Sequence, residues 1–221
     1  MRSIKIFSIL LLLCFGIVTV VEAQPAAVKK AANTTFTLTT FDSNGSILST
    51  SNGVFVSNDG IGVSTWKPFV GAMKAVVTDN DGQKYDVETM LGANELYDVA
   101  KFKVAAKTHA APFAPSVAAS STAWIVVPAK VGDPIKANIN KVEKFMTKYN
   151  YCVLSTTAPE KNNGAPLLND KGQLVGIYNS NGVLQSATDA RYANDFIISG
   201  LSQNDPTILQ SGIRIALPQQ P

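Results

Sequence analysis

Histidine and cysteine are nearly missing from this 221-residue chain, which has one of the first and two of the second. A single His109 removes any histidine-rich metal centre, and no group of Cys, Asp and Glu shows metal-ligand spacing. Cys14 lies inside the chain's one long apolar run, from Ile6 to Val21. It follows Leu13 rather than a small residue, so lipid attachment is not expected there. Cys152 is then the only thiol beyond that run, which excludes an intramolecular disulfide whatever the redox compartment. A small buried strand residue is its expected role, because free cysteine is mostly buried. Phosphate-binding glycine loops, internal repeats and heptads are also missing, so no cofactor is expected.

Charge is sparse as well, with 19 basic and 16 acidic residues giving +3. Arg2 and Lys5 precede the apolar run, and Val21 and Ala23 precede Gln24, the layout of a cleavable export signal over residues 1–23. The run is shorter than the roughly 20 apolar residues that a membrane-crossing helix needs, so no stable membrane anchor is expected after cleavage. Cleavage takes away two basic residues and one acidic residue and leaves +2. Such a balance argues against a nucleic-acid partner.

What is present is β-rich. Residues 24–34 contain Ala, Lys and Pro without an apolar period and are expected to form a flexible leader outside the fold. Short runs follow at 35–41, 53–56, 75–78, 85–91 and 99–104, divided by turn sequences such as Asn58-Asp59-Gly60 and Asn80-Asp81-Gly82. Closely spaced strands with Asp-Gly turns and no intervening helical period indicate a barrel or sandwich. The Ala/Pro/Ser-rich stretch at about 107–121 is the expected linker to a second β set at 123–127, 135–145, 151–155, 174–178 and 183–187. Tyr192, Phe196, Ile197 and Leu201 are spaced for one face of a C-terminal helix. The folded domain is thus expected over 35–202, with a loose tail over 203–221. Trp66 and Trp124 are expected to be core or rim aromatics. The glycosylation-type triplets at Asn33 and Asn44 are taken as chance matches.

Three ordered segments carry a resemblance. The first runs from Ser51 through Gly53-Val54-Phe55-Val56 and Asp59-Gly60 to Lys67 and Gly71-Ala72. The second joins Asp81-Gly82 to Gly92 and Asp98-Val99-Ala100. The third is Lys161-Asn162-Asn163-Gly164-Ala165-Pro166-Leu167, continuing to Gly172 and Gly176-Ile177. Together with the run 182–193, they resemble the trypsin-like, HtrA/chymotrypsin-type serine-protease domain over about residues 36–200. The resemblance implies an all-β fold of two six-stranded antiparallel barrels with a C-terminal helix.

It also implies site positions. Lys67 stands where the family has its general-base histidine, Asp98 where it has the orienting aspartate, and Asn163 where it has the serine nucleophile. Acyl transfer by this fold needs a hydroxyl, an imidazole and a carboxylate. An amide is not a nucleophile, and a lysine with a reference pKa near 10.4 accepts no proton at neutral pH unless burial lowers that value. An ion pair between Lys67 and Asp98 is the expected outcome.

Lys161 and Ala165 replace glycines flanking Asn163 and Gly164, which is expected to disturb the backbone donors of the oxyanion hole. His109 lies in the linker, outside the triad position, and Cys152 has no histidine to activate it. The leading expectation is therefore a secreted or periplasmic pseudoprotease, not an enzyme, whose cleft holds extended peptides or a partner protein by strand addition. The alternative is an active serine-type peptidase with a rearranged site, in which Lys67 acts as base and Ser155 or Thr156 as nucleophile. A third reading is a structural component with no retained cleft function.

Overall fold

The computed structural model describes residues 23–144 and 149–195, together with the backbone of Arg214–Ile215. Six strands make the first barrel: β1 (Thr35–Phe41), β2 (Ile47–Phe55), β3 (Ile61–Ser64), β4 (Lys74–Asp79), β5 (Lys84–Asn94) and β6 (Val99–Val104). The ladder runs β5-β4-β1-β2-β3-β6 and closes through antiparallel pairing of β5 with β6. The second barrel has β7 (Ser121–Ile125), β8 (Ile135–Glu143), β9 (Tyr151–Leu154), β10 (Pro166–Leu168), β11 (Leu174–Ser180) and β12 (Gln185–Thr188). These close in the order β10-β11-β12-β9-β8-β7. The two expected six-stranded barrels are both present.

Alternation decides which faces turn inward. In β1, Phe36 and Leu38 are fully buried while Thr37 and Thr39 are half-buried, the period of two that a pleated strand imposes. Phe36 packs against Phe55 at 4.7 Å and Phe102 at 5.7 Å to centre the first barrel. Ile125, Ile139, Leu167 and Tyr178 fill the second. A third apolar layer lies between the barrels, joining Val54, Val63 and Val99 to Trp124, Leu168 and Ile177.

Two short strands, β3 and β10, were not expected. Each has four residues or fewer, and β10 opens on Pro166, which a strand tolerates at its first position because no N–H is needed there.

The leader expectation needs correction. Residues Ala26–Ala31 form a helix, α1, following Pro25, with Val28 and Ala31 buried in the inter-barrel layer. Alanine and lysine favour helix, but six residues show too little period to be read from sequence, and so short a helix owes its stability to docking. It rests on the β10–β11 turn, where a methyl on Gly172 would lie 3.0 Å from the Ala27 carbonyl.

The expected C-terminal helix is also altered. Ala190–Asp195 is a 3-10 helix, anchored where Tyr192 is fully buried and its hydroxyl donates to the Tyr149 carbonyl at 2.7 Å. Phe196, Ile197 and Leu201 lie outside the described residues. In the tail, Arg214–Ile215 (β13) pairs in parallel with Thr89 and Met90 of β5.

Candidate active site

Both barrels contribute to one locus. Lys67 opens the 3-10 turn Lys67–Phe69, and Trp66, which precedes it, is buried and stacks on Phe69 at 6.2 Å. Asp98 sits between β5 and β6 at φ +49°, a left-handed conformation that aspartate tolerates better than most residues. One oxygen, Oδ1, accepts the Lys67 main-chain N–H at 2.8 Å, and Oδ2 accepts the Asn179 side-chain amide from β11.

Lys67 Nζ lies 3.7 Å from Asp98 Oδ2. The lysine side chain is 69% exposed and the carboxylate only 10%, so this long contact is worth little beside the two hydrogen bonds that fix Asp98. Nearby, the Thr188 hydroxyl donates to the Tyr97 carbonyl at 3.0 Å, a second tie between the turn carrying Asp98 and the second barrel.

Asn163 follows the 3-10 turn Glu160–Asn162 and is held at every polar atom. Its carbonyl accepts from Asn52 N at 2.9 Å, Asn52 Nδ2 at 3.2 Å and Ser51 Oγ at 3.0 Å. Its side-chain amide donates to the Ser180 carbonyl at 2.9 Å and accepts the Ser180 N–H at 2.7 Å. An amide has the donor and acceptor of a peptide unit, so the side chain adds one rung to the end of β11. Asn163 N–H, a main-chain donor at the nucleophile position, bonds the Glu160 carbonyl at 2.9 Å, while the Lys161 carbonyl accepts from Asn52 Nδ2 at 2.8 Å.

Lys161 and Ala165 sit at ordinary negative φ, so neither side chain strains the loop. Gly164 alone there needs its glycine, at φ +83° and with the Asn52 carbonyl 2.1 Å from where a Cβ would stand.

Other expected residues fall elsewhere. Ser155 N–H bonds the Asn138 carbonyl at 3.1 Å and Thr156 Oγ1 accepts the Asn138 N–H at 2.8 Å, so both sit at the end of β9 against β8. Among the described residues neither makes a hydrogen bond with Lys67. The hydroxyl brought to Asn163 is instead that of Ser51, whereas Ser180 meets Asn163 through its main chain and its own hydroxyl bonds the Gly182 N–H and the Gln185 amide. Ser51 and Asn52 open the first motif, just before the run at 53–56, and nothing in the sequence marks either as a site residue. Asn179, which braces Asp98, lies beyond the last glycine that set the third motif's register.

Trp124 is buried, with its indole N–H donating to Asp170 at 2.8 Å. Among the described residues no three of His, Cys, Asp and Glu are placed to hold a metal, and no helix is long and apolar enough to cross a membrane.

Cys152 is fully buried in the second barrel, and burial, with a smaller push from Asp189, raises its thiol to about 12. A thiol that stays protonated in the fold while the unfolded chain ionises near pH 8.5–9 stabilises the fold below that range. That contribution declines as pH rises from about 9 toward 12. Native protein is expected to leave a thiol reagent such as dithionitrobenzoate unreacted at pH 8 and to react once unfolded in urea. Rapid native labelling would contradict this burial.

A family model described as "Trypsin-like peptidase domain" matches residues 41–177, more than half of the chain. The chain belongs to the trypsin-like peptidase family. A relative named "Putative serine protease HhoA", from Synechocystis sp., is 27% identical over 143 residues, which is 57% of this chain and 35% of the relative. The chain therefore spans about a third of that protein's length.

Among solved structures, an HtrA-type protease AlgW with tripeptide superposes with TM-score 0.63 at 20% identity, covering 76% of this chain and 60% of that one. The serine endoprotease from Yersinia pestis gives 0.63 and 20%, covering 76% and 63%. At this identity the two structures establish the fold.

These comparisons correct the expectation that the protein is not an enzyme. The family is one of peptidases and the relative is named as a serine protease. Loss of side chains at two aligned positions is not by itself loss of chemistry, and the fold brings the Ser51 hydroxyl to Asn163.

Proposed function

We propose that this chain is an exported serine-type peptidase domain that acts on extended polypeptides through a rearranged site. The observation that carries the reading is the bracing of Asp98, whose carboxylate holds the Lys67 backbone and lies 3.7 Å from its ammonium, at the seam where Asn163 is also fixed. Membership in a peptidase family supports it, and the charged start and apolar run before Gln24 support export. In this scheme Ser51, whose Oγ bonds the Asn163 carbonyl at 3.0 Å, supplies the hydroxyl, and Lys67 and Asp98 are the charged groups of the same locus.

The test uses protein recovered from outside the cytoplasm, with an N-terminus expected to begin at Gln24. It is treated with a fluorophosphonate probe and peptide-mapped, and casein cleavage is followed beside Lys67→Met. The expected result is a label on Ser51 and a loss of casein turnover of at least about tenfold in Lys67→Met, as removal of an acid–base group from a site produces. Absence of both label and turnover, with contaminating proteases excluded, overturns the proposal.

A further inference from the structure

A cavity of about 450 Å³ lies away from the Lys67–Asp98–Asn163 locus, where four separate segments meet. Helix α1 supplies Lys30, the β2–β3 turn supplies Asn58, the inter-barrel linker supplies His109, and the β10–β11 turn supplies Lys171. The volume is within the range of small-molecule sites, roughly 300–1,000 Å³.

The charged groups of this cavity, Lys30 and Lys171, share one sign. Lys30, Lys171 and His109 face it, and no carboxylate lines it. Among the described residues none of the three forms an ion pair. Like charges gathered without a counter-ion repel, and this arrangement is relieved by an anion.

The neutral polar groups point the same way. Asn58 Oδ1 accepts the Ala110 N–H at 3.1 Å, and Asn33 Oδ1 accepts the Asn80 amide at 3.3 Å. With each carbonyl oxygen already accepting one bond, each side chain has its NH₂ to offer, so both amides can donate into the cavity. The remaining walls, including Ala27, Ala31, Ala110 and Pro112, are apolar.

We propose that this cavity is a binding site for a small organic carboxylate, its head on Lys30, Lys171, His109 and the amides of Asn33 and Asn58, its hydrocarbon body on the alanine and proline wall. Because the four segments come from α1, both barrels and the linker, an occupant would fasten all of them together. The site is independent of the peptidase reading.

His109 is the chain's only histidine, so its imidazole C–H resonances report occupancy in a one-dimensional proton spectrum without labelling. Octanoate is titrated into the purified protein, with octanol as the uncharged match and sulfate as the anion without an apolar body. Saturable His109 shifts are expected with octanoate and much weaker ones with octanol and sulfate. Lys30→Gln/Lys171→Gln, a change at two exposed positions, is expected to weaken octanoate roughly tenfold, as loss of charge-assisted contacts does. No octanoate shift, equal affinity for octanol or sulfate, or unchanged binding in the double variant would each overturn the proposal.

Discussion

A methyl group added at Gly164 is expected to cost about 4 kcal/mol or more, enough to unfold many domains of this size. Two penalties combine. The residue sits at φ +83°, where a Cβ is disfavoured by roughly 1–2 kcal/mol. The new carbon would also lie 2.1 Å from the Asn52 carbonyl, 2.5 Å from Ser51 Oγ and 2.8 Å from Ser64 Oγ. All three belong to the first barrel, so the clash forces the loop carrying Asn163 off its seat.

Gly45→Ala separates the two penalties. Gly45 has φ +78° but nothing within 4 Å of its Cβ position, so it should lose only the conformational part, about 1 kcal/mol. Urea unfolding midpoints of the two variants make the comparison. Equal losses would mean that the barrel contact at Gly164 contributes nothing.

Asp98→Ala is expected to cost about 2–4 kcal/mol, and Asp98→Asn about half of that. Alanine removes the acceptor for both the Lys67 N–H and the Asn179 amide, leaving donors unsatisfied in a site only 10% exposed, and it tolerates φ +49° less well. Asparagine keeps one carbonyl oxygen and the left-handed preference. Because the 3.7 Å contact with Lys67 Nζ is weak, Lys67→Met should leave the midpoint within about 0.5 kcal/mol. A Lys67→Met loss as large as that of Asp98→Ala would show that the ion pair, and not the backbone hydrogen bond, is what Asp98 supplies to stability.

Much of this architecture was legible because its signals are local. Asp-Gly turns and the two-residue alternation of segments such as Thr35–Phe41 disclose strands without knowledge of their partners. The three ordered motifs then set the register of Lys67, Asp98 and Asn163. Features set by contacts between distant residues were not legible. Asn52, just ahead of the run at 53–56, has no evident role until the loop at 161–163 is folded against it, and Asn179, just after the run at 174–178, has none until Asp98 is opposite.

Helix α1 escaped for the same reason, since Val28 and Ala31 are a single turn apart and gain their meaning from Gly172. Substitutions were legible and their consequence was not. Lys67 and Asn163 announce that the family's usual base and nucleophile are replaced, yet nothing in the linear order says that the Ser51 hydroxyl reaches the Asn163 carbonyl.

The seating of α1 on Gly172 imposes an order of events on the emerging chain. The helix precedes the first barrel in sequence, but its platform belongs to the second, so Val28 stays in water until nearly the whole domain has been delivered. A contact between segments this far apart closes late, because the entropy lost in closing a loop grows with its length, and non-local contacts slow folding. The segment before β1 is therefore left undocked, and it is drawn into the fold only when the last barrel closes behind it.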